Sequence, residues 1–226
     1  MPNLISCDWD RARIYVHSGI SATILTSFTT PGPYPTGVTF DGRNLISCDL
    51  GTDRIYVHSG ISATIRTSFI SPSTGPTGVT FDGQNLISCD WGADKIYVHS
   101  GISATILTSF TTPGAYPSGV TFDTQNLISC DAEAYRIYVH SGISATILTS
   151  FTAPSDYPSD VTFDTQNLIS CDAPARRIYV HSGISATILT SFTAPGPYPT
   201  GVCLDITPFW DPAANKPQNL TVTIIR

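Results

Sequence analysis

Histidine recurs every 41 residues, at His17, His58, His99, His140 and His181, and cysteine keeps the same interval at Cys7, Cys48, Cys89, Cys130 and Cys171. Both side chains ligate metals, and a histidine among many serines could act as the base of a nucleophilic site. A metal, however, needs three or four donors within about 2.0–2.3 Å of one point. Equivalent residues of separate repeats point away from one another, and one Cys with one His makes only half a site. A catalytic set must also be asymmetric, with nucleophile, base and orienting acid in one cleft, whereas every copy here holds the same letters. The expectation is structural: half-buried histidines with local hydrogen bonds, free buried thiols, no metal and no cofactor. Cys203 stands in the slot of Thr39, Thr80, Thr121 and Thr162 and has only Cys7 as a conceivable partner, should the chain ends meet.

Two columns of aspartate carry further possibilities. Asp41, Asp82, Asp123, Asp164 and Asp205 would surround the axis of a closed ring and attract a cation, which is the basis for an alternative reading as a lyase or hydrolase. Aspartate before a tight turn is equally an ordinary turn residue. The second column forms the pairs Asp8/Arg13, Asp49/Arg54, Asp90/Lys95, Asp131/Arg136 and Asp172/Arg177. A carboxylate and a cation at the two ends of one short loop are expected to pin it by a charge-assisted hydrogen bond, as scaffold rather than chemistry.

These residues need elements to hold them. Five copies of a 41-residue unit begin at Asn3, Asn44, Asn85, Asn126 and Asn167. In the second copy and the segment before it, short β-branched and aromatic runs are bounded by turn residues: Gly37–Asp41, Asn44–Asp49, Arg54–His58 and Ser62–Phe69. Asp41-Gly42 and Asp82-Gly83 are hairpin dipeptides. Each unit therefore predicts a four-stranded antiparallel meander. Neither face of its middle strands is strongly charged, so both faces are covered by neighbours. The fourth strand is the solvent edge, because Arg66 takes the slot of Leu25, Leu107, Leu148 and Leu189.

Repeats of about 40 residues with four strands each mark a β-propeller. The chain starts on a second strand, near Leu4, and supplies its fifth innermost strand, Gly201–Asp205, at the other end. Pairing of those ends closes a five-bladed, all-β propeller over residues 1–207 without a free edge. The tail, 208–226, breaks the pattern. Leu220–Ile225 reads as a degenerate extra second strand, and Phe209 and Trp210 are apolar enough to dock on the ring.

Pro35–Gly42, then Leu45–Asp49, then Arg54–Val57 resemble NHL-type repeats, whose units carry a Pro-x-Gly-Val opening, an Asp closing the second strand and an Arg-Ile pair opening the third. The resemblance covers all five copies. It implies a propeller and no one function, since such propellers include protein-binding, nucleic-acid-binding and enzymatic members.

Composition narrows the partners. Charged residues make up 12% of the chain, with 11 Lys and Arg, a formal net charge of -6 and a pI near 5.1. Phosphate backbones need clustered cations, which are spread over the repeats, so nucleic acid is excluded as a partner. With neither a basic, apolar leader nor a long apolar run, a soluble cytoplasmic monomer is expected, without membrane contact.

The copies disagree chiefly in two loops, while the second and third strands are almost letter-identical. Between the second and third strands stand Trp9–Ala12, Leu50–Asp53, Trp91–Asp94, Ala132–Tyr135 and Ala173–Arg176. Before the innermost strand stand Thr30–Tyr34, Ser71–Gly75, Thr112–Tyr116, Ala153–Tyr157 and Ala194–Tyr198. In an up-and-down blade both loops emerge on one face. That rim carries Trp9, Trp91, Tyr135, Tyr34, Tyr116, Tyr157 and Tyr198, amphipathic aromatics suited to stacking on a small carbohydrate or a peptide or protein ligand. A non-enzymatic binding propeller is the first reading. The alternatives are the axial-cation enzyme and a chain amplified or built from one blade with no selected ligand.

Overall fold

The computed structural model describes residues 2–206, 210–211 and 216–217. Each 41-residue unit folds as the alternation dictates. In blade two, innermost β4 (Pro35–Phe40) pairs with β5 (Leu45–Asp49), β5 with β6 (Arg54–His58), and β6 with outer β7 (Ile65–Ile70), all antiparallel. Blades three, four and five repeat this order as β8–β11 (Pro76 to Thr111), β12–β15 (Pro117 to Thr152) and β16–β19 (Pro158 to Thr193).

Blade one is stitched from both ends. Its sheet runs β20 (Pro199–Leu204), β1 (Leu4–Asp8), β2 (Arg13–His17), β3 (Ile24–Thr29), with Leu4 opposite Leu204 and Ile5 opposite Cys203. The result is a closed five-bladed β-propeller. All six cysteines are buried and free, Cys203 and Cys7 included. In the tail, β21 (Trp210–Asp211) pairs with β22 (Lys216–Pro217), while Phe209 and the predicted strand Leu220–Ile225 lie outside the described residues.

The core lies between blades. Ile46, Cys48, Ile55 and Val57 of blade two pack on Val79 and Leu86 of blade three, and the same contact recurs around the wheel. Both faces of a blade's middle strands are buried because each meets a neighbour, one of them apolar and the other carrying the buried Ser, Asp and His side chains. The outer strands face water, as Leu25, Ile70 and Leu107 show by their exposure.

At the axis the five innermost strands nearly touch. A Cβ on Gly78 would stand 2.7 Å from the Cα of Gly119, and one on Gly37 would stand 2.8 Å from the Cα of Gly78. One step before each glycine column, a hydroxyl links blade to blade: Thr36 donates to the Pro76 carbonyl (2.7 Å), Thr77 to Pro117 (2.6 Å), Ser118 to Pro158 (2.5 Å) and Thr200 to Pro35 (2.6 Å). Ser159 breaks the circle and donates to the Tyr157 carbonyl of its own loop.

Candidate functional site

The loops between second and third strands and those leading into the innermost strands share one face. Backbone hydrogen bonds zip them together: the N–H of Trp9 donates to Tyr198 O, Leu50 to Tyr34 O, Trp91 to Gly75 O and Ala132 to Tyr116 O. The last residue of each second-to-third-strand loop (Ala12, Asp53, Asp94, Tyr135, Arg176) is left-handed, with φ between 47° and 55°. Side chains vary over a constant backbone turn.

On the axis of this face, Trp9, Leu50, Trp91, Tyr116, Tyr157 and Tyr198 surround a depression of about 70 Å³, floored by the hydroxyls of Thr36, Thr77, Ser118, Ser159 and Thr200. Trp9 meets Tyr34 and Tyr198 edge-on, each at 5.4 Å between ring centroids. Across the cup Trp91 meets Tyr116 at 4.7 Å, and Tyr116 meets Tyr157 at 6.0 Å. Burial, reinforced by Tyr116, holds the phenols of Tyr157 and Tyr198 above their ordinary range, so both are neutral hydrogen-bonding groups near neutral pH.

Of the seven rim aromatics expected from sequence, five line the depression and Tyr34 supports Trp9. Tyr135 does not line it. Cup residues come from the first position of the loop, as Trp9, Leu50 and Trp91 do, whereas Tyr135 holds the fourth, left-handed position and is 46% exposed. Leu50 was missed because it is not aromatic, although it shares the column of Trp9 and Trp91.

The expected loop pairs need correction. Asp8 and Arg13, and their equivalents, face each other in register, but the carboxylates turn to backbone N–H groups instead. Asp8 accepts from Arg11 (2.9 Å) and Tyr198 (2.6 Å), Asp49 from Thr52 (2.9 Å) and Tyr34 (2.7 Å), Asp131 from Ala134 (2.6 Å) and Tyr116 (2.9 Å), and Asp172 from Ala175 (2.7 Å) and Tyr157 (2.9 Å). The cations run outward: Arg13, Arg54, Arg136 and Arg177 donate to Ser27, Ser68, Ser150 and Ser191 of the outer strands. Loop amides are obligatory donors, while a guanidinium at the surface has alternatives. These aspartates thus bind loop to loop rather than to a cation.

The expected pairing of Asp90 with Lys95 is corrected too. The two residues are opposite each other in register, yet Lys95 donates to neither carboxylate oxygen: Asp90 Oδ1 accepts from the Ala93 N–H (3.0 Å), and Oδ2 has no partner although the residue is 1% exposed. Opposed strand positions bring the two backbones together, but Lys95 is only half-buried while the Asp90 carboxylate lies inside, and a long lysine can bury its stem and leave its charge at the surface. Asp90 is therefore the exception among the five aspartates, with one loop amide where the others hold two. Burial pushes its carboxyl up to about 6. Replacing Asp131 by Ala strands two part-buried amides, each costing up to about 1–3 kcal/mol. Asp90→Ala strands one and removes an unpaired charge. Urea unfolding is therefore expected to show Asp131→Ala less stable than Asp90→Ala by more than about 1 kcal/mol; equal losses would contradict this division of labour.

The histidines are fully buried, not half-buried. Each Nε2 meets a second-strand serine hydroxyl, as His58 meets Ser47 (2.9 Å), and each Nδ1 meets a carbonyl, as His58 meets that of Ser62 (2.7 Å). A carbonyl only accepts, so Nδ1 carries a proton; burial holds the imidazole below its ordinary 6.5, so near neutral pH the ring is neutral and Nε2 accepts from the serine hydroxyl. Each ring also packs on a phenylalanine of the preceding blade's outer strand, as His58 does on Phe28 at 6.0 Å. No cluster of metal-ligating groups occurs among the described residues. Asp41, Asp82, Asp123 and Asp164 cap their turns through the amides two and three residues on, and Asp205 holds Asn3.

The carboxyl that does reach the axis is Asp160, where Gly37, Gly78, Gly119 and Gly201 stand in the other copies. It is wholly buried, and its oxygens accept from Val161 (2.8 Å) and Val202 (2.9 Å). Burial raises it well above the usual carboxylate range, opposed by those donors. The departure from the glycine column was the signal in the sequence.

No family model matches the chain, and no curated protein is similar to it in sequence. Solved structures share its fold. One in a nidogen/laminin complex is 17% identical with a TM-score of 0.61, covering 92% of this chain and 99% of that one. A glutaminyl cyclase of Myxococcus xanthus is 10% identical with a TM-score of 0.59, covering 71% and 77%. At such identities the likeness shows a propeller and nothing finer.

Proposed function

We propose that the chain is a non-enzymatic binding propeller that seats one ligand, a small carbohydrate or a peptide or protein segment, across the aromatic depression on its axis. The observation that carries this reading is the convergence of six apolar side chains from six variable loops on one point. Below them four of the five floor hydroxyls are committed to blade-to-blade hydrogen bonds, so the free chemistry of the site is aromatic faces and the polar rim. The only repeated His–Ser pairs are buried and out of a substrate's reach. We place the repeats with NHL-type units on the residues quoted above, and the nidogen/laminin complex among the similar structures fits a protein partner.

Titration against glycan and peptide panels, read by intrinsic fluorescence, tests the reading. A bound ligand is expected near one per chain, because the site lies on the axis rather than between blades. Trp9→Ala with Trp91→Ala is expected to weaken it about 100-fold, the effect of losing central aromatic anchors. A stoichiometry of five, or an affinity unchanged in the double variant, overturns the axial site. Silence across the panels favours a repeat protein without a selected ligand.

A further inference from the structure

Four of the five loops entering innermost strands present a tyrosine whose N–H reaches the Oδ2 of a second-strand aspartate. The fifth presents Gly75. With φ at +108°, a conformation that favours glycine, it turns its N–H away to Oδ1 of Asp53 (3.1 Å), and the Trp91 indole lies against it where a side chain would stand. Oδ2 of Asp90, which in the other blades would face that tyrosine amide, therefore has no hydrogen-bond partner among the described residues.

In the same seam between blades two and three a notch of about 300 Å³ opens, lined by Leu50, Asp53, Thr74, Gly75, Trp91 and Gly92; Asp90, 1% exposed, is not among its lining residues. Leu50 and Trp91 belong to the axial cup as well, so notch and cup are continuous. Among the described residues neither Lys nor Arg lines the notch, and Arg54 is committed to Ser68. The Asp53 carboxylate in the lining favours positive charge, and an indole offers its face to a cation. Guanidinium suits both, being planar, stacking and rich in donors.

We propose that the Gly75 notch is a subsite for an arginine side chain of a peptide ligand, its stem on Trp91 and its guanidinium against the Asp53 carboxylate. This rests on the cup as the binding face and names the partner's chemistry: a peptide with an arginine next to the segment that crosses the axis. The notch also gives a nearly five-fold wheel a direction, because only one of the five loops lacks its tyrosine.

The test follows the indole N–H resonances of Trp91 and Trp9, assigned with Trp91→Phe and Trp9→Phe, during titration with N-acetyl-arginine methylamide and with the citrulline analogue, its neutral isostere. The arginine probe is expected to shift Trp91 saturably, and about tenfold more weakly in Asp53→Asn, which keeps the oxygen that accepts from Gly75. The citrulline probe should bind at least about tenfold more weakly still than arginine does to the parent chain. Equal binding of citrulline, an unchanged response in Asp53→Asn, or no saturable shift of Trp91 overturns the subsite. If panel ligands shift Trp9 while arginine leaves Trp91 unmoved, the subsite fails and the cup stands. If arginine shifts Trp91 while no panel ligand ever moves Trp9, the subsite stands and the cup reading fails.

Discussion

Acidification from about pH 7.5 to about pH 5 is expected to destabilise the propeller by several kcal/mol, because five buried imidazoles must stay neutral to remain inside. Burial lowers all five below their ordinary 6.5, against a smaller upward pull from the serine carbonyls. The unfolded chain takes up protons near 6.5 and the folded chain only at lower pH. In that window the unfolded state binds more protons, so stability falls as pH falls. Each withheld proton contributes about 1.4 kcal/mol per pH unit, which sets a ceiling of about 7 kcal/mol per pH unit for five.

Three carboxyls act in the opposite sense. Burial raises Asp90 to about 6, and raises Asp160 and Asp172 above 3.8. Their folded forms protonate before their unfolded ones, so acid returns stability as pH falls through their folded values. The slope should therefore be steepest just below pH 6.5 and flatten as Asp90 protonates. Thermal unfolding followed across this range checks both parts. His58→Gln should shallow the slope by about one-fifth, since one of five linked protons is lost. A Tm independent of pH between about 7.5 and 5.5 would refute the linkage.

Gly78→Ala is expected to lower stability by about 3 kcal/mol or more, at the upper end of overpacking costs. The new Cβ would stand 2.7 Å from the Cα of Gly119 and 3.0 Å from both Cys89 Sγ and Val120 N. All of these belong to packed strands, so the blades must spread, and a closed ring transmits the strain to every interface. Asp160 shows what a side chain in this column requires. Its carboxyl captures the Val161 and Val202 amides, and the neighbouring hydroxyl link at Ser159 is given up. Alanine brings no such compensation. For a chain of this size the loss amounts to about 6–12 °C in Tm, readable by calorimetry. An unchanged Tm would mean that the innermost strands part more easily than their close approach implies.

The blade was readable because its rules are local. Val38 and Phe40, Ile46 and Cys48, Ile55 and Val57 alternate within their strands, turn residues separate them, and the four-strand pattern repeats every 41 residues. The loop face was readable too, since an up-and-down sheet sends alternate loops to the same side. The fate of Asp49 and Arg54, or of Asp90 and Lys95, was not. Proximity along the chain suggested ion pairs, yet Tyr34 N–H, fifteen residues from Asp49 in sequence and close in space, competes better for the carboxylate.

Blade number, strand order and ring closure followed from the chain alone, because five units offset by one strand leave Gly201–Leu204 with a single unpaired partner, the strand at Leu4. Convergence on the axis was decided only by tertiary structure. Whether Leu50 turns inward while Tyr135 stands outside, why Asp90 lacks the donor its four counterparts have, and what Asp160 does among the glycines all depend on distances between blades. Such distances are set by how five sheets pack around a common line, and no pattern within one repeat encodes them.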